Sequence, residues 1–249
     1  MSVAKQKIII VGAGIIGAIA AFELQSAGAD VLVLDAGGAR ATDASFGWVN
    51  ASFFETPEYF ALRVEGINAY RRLQKRIDVP ISWNGGLCWE FSGDKFDEHF
   101  NSLDQQGYPC RILNRKEITA LEPILSHPPE RAIHFSSEAA VESSELTQRL
   151  LCAAQSLGAR VAGGFRVTGF TQRGDAVCGV STAEGDFAAD QVLLATGTGT
   201  QDLLATLDIA LPMLHRPGVI FQTNAVRPVL NHVCVAPIGE FRQLPMGAF

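Results

Sequence analysis

The chain has 249 residues, 47% of them apolar and 18% charged, with a formal net charge of −6. These proportions describe an ordinary globular protein long enough for two lobes, and they exclude a disordered or collagen-like chain. The acidic balance and the lack of any run of Lys or Arg leave no footprint for nucleic acid or an anionic membrane, so a small anionic ligand would need donors supplied locally.

The first predicted element is a buried strand, Lys7-Ile8-Ile9-Ile10-Val11. It runs into Gly12-Ala13-Gly14-Ile15-Ile16-Gly17, then an apolar helix through Ile19, Ala20 and Leu24, a left-handed stop at Gly28 and a second strand, Val31 to Asp35. Each glycine has a physical task. Gly12 permits a tight turn, Gly14 lets bare backbone approach a pyrophosphate, and Gly17 lets the helix pack close to the strand. The helix dipole favours an anion at that turn, and a carboxylate at Asp35 suits a ribose diol. Strand, glycines, helix, strand and acid in this order predict a dinucleotide cradle; the other reading is a glycine-rich turn with no ligand. Residues 8–22 form an apolar run too short for a membrane span, which needs about 20 residues, so no transmembrane segment is expected. A strand beginning near Lys7 leaves no cleavable leader, and a cytoplasmic location is expected.

Beyond Asp35 a loop of small residues runs from Ala36 to Asn50 and carries Phe46 and Trp48. Thr56-Pro57 reads as an N-cap and first-turn proline for a helix reaching Ile77, ended by Pro80. From Ile81 to Phe91, Asn84-Gly85-Gly86 splits two short apolar runs and predicts a hairpin. A polar helix is expected over 95–105, and Asn114 to Glu117 has the capping-box spacing for another, broken by Pro123. Ala132 to Phe135 is a strand candidate.

Ser143 or Ser144 is expected to cap a helix through Leu146, Leu150, Ala153, Ala154 and Leu157, stopped by Gly158. Three short strands near 165–170, 177–182 and 187–189 predict a meander. Gln191 to Ala195 is a continuous apolar run, which suits a strand covered on both faces of a parallel sheet, with Thr196-Gly197 at its ligand-facing edge. Pro212 to Phe249 reads as strands of a second sheet. The five cysteines, Cys88, Cys110, Cys152, Cys178 and Cys234, are scattered without a CxxC pair, so buried thiols are expected and no metal site. Gly-x-Ser-x-Gly is absent, and His215 and His232 read as strand-end residues.

Gly12-x-Gly14-x-x-Gly17 with Asp35, Ala44-Ser45-x-Gly47, Leu121-Glu122-Pro123, the segment Ala139 to Leu150 and Leu193-Leu194-Ala195-Thr196-Gly197 follow the order seen in D-amino-acid-oxidase-like FAD oxidoreductases. The chain resembles that family, which includes glycine oxidase, sarcosine oxidase and D-amino-acid dehydrogenase. The resemblance implies an α/β fold: a Rossmann-like two-dinucleotide-binding-domain flavoprotein unit with a β-meander, joined to an α+β substrate domain. Residues 1–80 and 141–211 would form a discontinuous FAD-binding domain, and 81–140 with 212–249 a partial substrate domain. Relative to the family's pattern the chain reads as truncated at its C-terminus.

By the same resemblance Gly12, Ala13, Gly14, Ile15, Ile16 and Gly17 would line the FAD pyrophosphate, with Asp35 and Ala36 at the adenosine ribose. Ala44 and Ser45 would lie beside the pyrophosphate, and Gly47, Trp48 and Val49 close to the isoalloxazine. Val167 would meet adenine, and Thr196 and Gly197 would complete the wall. The implied reaction is oxidation of the C–N bond of an amine or amino acid by hydride transfer to flavin N5, giving an imine that water hydrolyses. No catalytic acid or base is required, and the electron acceptor is open. Arg242 is a candidate for gripping a substrate carboxylate, the other reading being an outward-facing strand arginine. Two alternatives stand beside this reading: an inactive truncated fragment of such a flavoenzyme, and an NAD(P)-dependent dehydrogenase.

Overall fold

In a computed structural model, which describes residues 5–214, 216–245 and 247, the chain divides into two compact units. The first comprises Met1–Ser45 and Ser143–Val219, the second Phe46–Glu142 and Ile220–Phe249. His215 lies outside the described residues.

In chain order the elements are β1 (Lys7–Val11), α1 (Ile15–Ser26), β2 (Asp30–Asp35), β3 (Trp48–Val49), α2 (Pro57–Gln74), β4 (Ile81–Ser82), β5 (Gly86–Cys88), α3 (Asp94–Gln105), β6 (Cys110–Asn114), α4 (Arg115–Leu121), β7 (Arg131–Phe135) and β8 (Ala139–Val141). There follow α5 (Ser143–Ser156), β9 (Arg160–Gly163), β10 (Val167–Arg173), β11 (Ala176–Thr182), β12 (Gly185–Ala188), β13 (Gln191–Leu194), α6 (Thr200–Ala205), β14 (Val233–Ala236) and β15 (Gly239–Phe241).

The first unit is built on a parallel sheet of order β13-β1-β2-β9, with Val11 level with Leu34 on one side and Leu194 on the other. Ile9, Val11 and Leu34 on one face meet Val167, Val180 and Phe187 of the antiparallel meander β10-β11-β12. Ile8, Ile10, Val31 and Val33 alternate with them and are equally buried, and α1 packs on β1, β2 and α5. The buried face of α1 is Gly17, Ala18, Ala21, Phe22 and Gln25. Small residues there let the helix approach closely. Ile16, at the start of the same helix, is 64% exposed. Buried Gln25 joins the layers: its Nε2 donates to the Leu157 carbonyl at 3.1 Å and its Oε1 accepts from the Val31 amide at 3.2 Å.

Three expectations for this unit change. The 191–195 run is not covered on both faces, because β13 is the edge of its sheet and only half-buried; the central, covered strand is β1. The loop after β2 contains a 3-10 turn, Ala41–Ala44. An additional edge strand, β9, pairs with β2.

The second unit holds a five-stranded sheet of order β15-β14-β5-β7-β6 and a small sheet of order β3-β8-β4. The predicted hairpin over 81–91 is not formed: β4 pairs with β8, whereas β5 pairs with β7 and β14. Gly85, at φ +85, turns the chain out of one sheet into the other, and an added Cβ would lie 2.7 Å from the Phe135 carbonyl oxygen. Thr56 caps α2 by accepting from the Tyr59 amide, yet the helix ends at Gln74, well before Pro80. The Asn114–Glu117 capping box forms in full at the start of α4. Of the stretch 212–249, the described residues form only β14 and β15 as strands.

Residues 46–80 and 141–142 group with this second unit rather than with the glycine-rich one, and 212–219 group with the first. The physical reason for 46–80 is pairing: β3 is laddered to β8, Arg71 of α2 donates to the Ser137 carbonyl, and Phe60 of α2 stacks edge-on against Tyr108. Among the described residues no helix is long and apolar enough to cross a membrane.

Candidate functional site

The first unit opens a cavity of about 900 Å³ at the carboxyl ends of β1, β2 and β13. That volume is in the range of cofactor pockets. The position follows from topology, because β1 lies between β2 and β13 and the connections leave it on opposite sides, which parts the loops above the sheet. Gly12, Gly14, Ile15, Ile16, Asp35, Ala36, Ser45, Val167, Thr196 and Gly197 all line this cleft.

The three glycines of the turn differ in why they must be small. Gly12 sits at φ +104 with an added Cβ 2.5 Å from the Ala195 carbonyl oxygen, and a Cβ on Gly17 would lie 1.9 Å from the Gly12 carbonyl oxygen. Both are demanded by the packing of α1 and β13 on the turn. Gly14 is different. It has an ordinary φ of −71, and a Cβ there would meet only the Thr42 hydroxyl at 3.2 Å. A side chain at Gly14 therefore asks the Thr42 hydroxyl to give by a few tenths of an ångström, a far smaller demand than at Gly12 or Gly17, and it would stand in the cleft.

Polar groups around the turn are already ordered. Asp35 accepts from the Ala13 amide at 2.7 Å and, through its other oxygen, from the Gly37 amide at 2.9 Å. A carboxylate has about four lone-pair sites, so two stay open to hydroxyl donors. The Thr42 hydroxyl accepts from the Ile15 amide at 3.1 Å, capping α1 from a distant loop. Arg40 donates to the Ala13 carbonyl at 2.9 Å and pairs with Asp43 at 3.2 Å. Ser144 donates to Asp43 at 2.9 Å and, as the main cause, holds that carboxyl below its usual range. Arg40 and Thr42 have no place in the sequence reading of this site; the nearest signal was their position between Asp35 and Ser45 in a loop of small residues.

Not every expected residue lies in the cleft. Ala13 and Gly17 are buried behind it, and Ala44 is exposed at the end of its 3-10 turn. Gly47 and Trp48 belong to the second unit. Gly47, at φ +68, is required by backbone packing, since a Cβ would stand 2.1 Å from the Val141 carbonyl oxygen. Trp48 donates through its indole to Glu138 and packs edge-on against Phe53.

Glu138 is the densest polar centre of the second unit. It is fully buried and accepts from Trp48 Nε1 at 2.9 Å, the Ala51 amide at 3.3 Å, the Ser52 amide at 3.1 Å and the Tyr108 hydroxyl at 2.8 Å. Burial pushes its carboxyl up to about 7 despite those donors, and burial together with this neighbour raises the Tyr108 phenol. No sequence signal marks Glu138, because its donors come from residues far along the chain.

Arg242 lines a second cavity, of about 220 Å³, wholly within the second unit. It is 6% exposed, so it is not an outward-facing strand residue. Its Nη2 donates to Glu142 at 2.7 Å and to the Val141 carbonyl at 3.3 Å, so a carboxylate partner is already in place. His232 is likewise engaged: its Nδ1 lies 2.5 Å from Glu122, which also accepts the Asn231 and His232 amides at 3.0 and 2.8 Å. All five cysteines are free, but only Cys88 and Cys234 are buried, the former with its thiol pushed up to about 12 by burial. Cys110 and Cys178 are partly buried and Cys152 is exposed, so the expectation of buried thiols holds for only two of the five. Among the described residues no cluster of three or more His, Cys, Asp or Glu is disposed to hold a metal ion.

A glycine oxidase from Pseudomonas putida is 29% identical over 221 residues, covering 84% of this chain and 60% of that protein. The chain thus spans about three-fifths of the length of that curated relative. The crystal structure of glycine oxidase from Geobacillus kaustophilus matches with a TM-score of 0.83 at 22% identity, covering 98% of this chain and 70% of that one. L-amino acid deaminase from Proteus vulgaris matches with a TM-score of 0.87 at 17% identity, covering 99% of this chain and 60% of that one. At such identities the structural likeness speaks for the fold. The family model described as FAD dependent oxidoreductase matches residues 7–243, and the chain belongs to that family.

Proposed function

We propose that the first unit binds FAD in its cleft and that the protein serves the oxidation of a C–N bond in a small amine or amino acid, by hydride transfer to the flavin. The observation that supports the binding step is Gly14, which lines the cleft at an ordinary φ with only the Thr42 hydroxyl close by, so a closely approaching pyrophosphate accounts for a glycine there better than the packing does. FAD, when bound, supplies the redox chemistry. The chain's own residues would hold it: the amides of the glycine turn other than those of Gly12, Ala13 and Ile15, which Leu34, Asp35 and Thr42 already engage, for the phosphates; the open lone pairs of Asp35 for ribose hydroxyls; and the Val167 and Thr196-Gly197 edges as walls. The names of the relatives, glycine oxidase and L-amino acid deaminase, support an amino acid or amine as the substrate class. Ala44, Gly47 and Trp48 carry no contact argument from the cleft itself. For Arg242, the ion pair with Glu142 supports a bracing role more than a substrate-gripping one.

The test is reconstitution of the purified 249-residue chain with FAD, followed by gel filtration and flavin release. Near-stoichiometric retained flavin is expected, with FAD preferred over NADH in competing titrations. A protein that stays colourless and leaves flavin fluorescence unchanged overturns the proposal.

A further inference from the structure

We propose that Arg40 is the cation that neutralises the pyrophosphate of the dinucleotide in the cleft of the first unit, held ready by Asp43 and Ser144. The inference rests on the FAD reading above and adds to it a charged residue outside the glycine turn.

The need is electrostatic. A pyrophosphate diester brings two negative charges, and a helix N-terminus offers only about half a unit charge in return. The protein is acidic, with a net charge of −6, and the cleft wall itself contains Asp35 and Asp202. The basic residues on that wall are Arg40 and Arg166. Arg166 directly precedes Val167, where β10 begins, at the meander side of the cleft. Arg40 is at the glycine turn: its Nη1 lies 2.9 Å from the carbonyl of Ala13, the residue next to Gly14.

Its conformation is fixed in advance. Nε is paired with Asp43 at 3.2 Å, and Asp43 is in turn pinned by the Ser144 hydroxyl at the start of α5. Those two bonds occupy two of the five N–H groups of a guanidinium, so phosphate oxygens can be met without breaking either. A planar fork fixed by a counterion loses little freedom on binding, which separates this arginine from a mobile surface charge. The pair is only half-buried, so salt should weaken the contact.

Binding of ADP, adenosine and FAD to the wild-type chain, Arg40→Gln and Arg40→Lys at two ionic strengths tests the assignment. Arg40→Gln should weaken ADP and FAD about tenfold or more while leaving adenosine unchanged, with a shallower salt dependence; Arg40→Lys should recover part of the loss. Thermal unfolding of each variant without ligand reports any structural damage. Equal ADP affinity in wild type and Arg40→Gln overturns the assignment while leaving FAD binding intact, and so does an equal loss for ADP and adenosine, which would mark Arg40 as a strut for the turn. A wild-type chain that binds neither FAD nor ADP overturns the FAD reading itself and the assignment with it.

Discussion

The indole of Trp48 donates to the carboxylate of Glu138 across 2.9 Å, inside a cluster where the Ala51 and Ser52 amides and the Tyr108 hydroxyl point at the same two oxygens. One buried acid thus fixes the strand at Trp48, the loop after it and the segment before β6. Burial lifts this carboxyl from 4.5 to about 7, so between those values the folded chain holds a proton that the unfolded chain has released. Its contribution to stability is present in full below pH 4.5 and is lost as pH rises through about 7, by an amount on the order of 3 kcal/mol. Urea unfolding of wild type and Glu138→Gln across this window should show the difference between them changing with pH. Parallel curves would remove the proton-linked role of Glu138.

Gly14 and Gly17 should separate under the same substitution. Gly17→Ala drives a methyl to within 1.9 Å of the Gly12 carbonyl oxygen, so the chain should lose roughly 2 kcal/mol or more or fail to fold. Gly14→Ala meets only Thr42, at 3.2 Å, so its loss of stability should be far smaller than that of Gly17→Ala while FAD affinity falls at least tenfold. A Gly14→Ala protein that retains FAD as tightly as wild type contradicts the cleft assignment.

Asp35→Ala removes the acceptor of two turn amides, at Ala13 and Gly37. The expected loss is about 1–3 kcal/mol of stability from those unpaired donors. Adenosine, FAD and ADP should all bind more weakly, unlike the phosphate-selective loss at Arg40. Calorimetric titration of adenosine is the decisive measurement, and unchanged affinity would take Asp35 out of the ribose site.

Glu122 is fully buried and gathers the Asn231 and His232 amides together with the His232 ring. It ties the end of α4 to the strand β14 more than a hundred residues later. Glu122→Ala should cost about 3–5 kcal/mol, because it strands buried donors and opens a void. Equilibrium denaturation reads this directly, and a loss under about 1 kcal/mol would mean that water replaces the carboxylate.

Much of the first unit was legible in the amino acids because its signals are local. Lys7 to Asp35 holds strand, glycine turn, helix and acid within one short stretch, and in the second unit the box at Asn114–Glu117 was legible likewise, being closed by residues three apart. What was misread depends on partners distant in sequence. Asn84-Gly85-Gly86 has the composition of a hairpin turn, yet the strands beside it find better partners in β8 and β7. The apolar run at 191–195 looks like a central strand, but it lies at the sheet edge because β13 pairs with β1 and with no strand on its other side among the described residues. Glu138 and Arg40 were silent for the same reason, and Glu122, though part of the Leu121-Glu122-Pro123 motif, gave no hint of its partners: a lone charged residue acquires meaning only from the groups that folding brings to it.

The strand order also governs how such a chain can mature during synthesis. β1 cannot gain its second neighbour until β13 has emerged from the ribosome, and β5 must wait for β14 in the same way. These two sheets therefore keep an unpaired flank while well over a hundred residues are added, and β1, β2 and β5 are the strands whose edges a nascent-chain chaperone would have reason to shield.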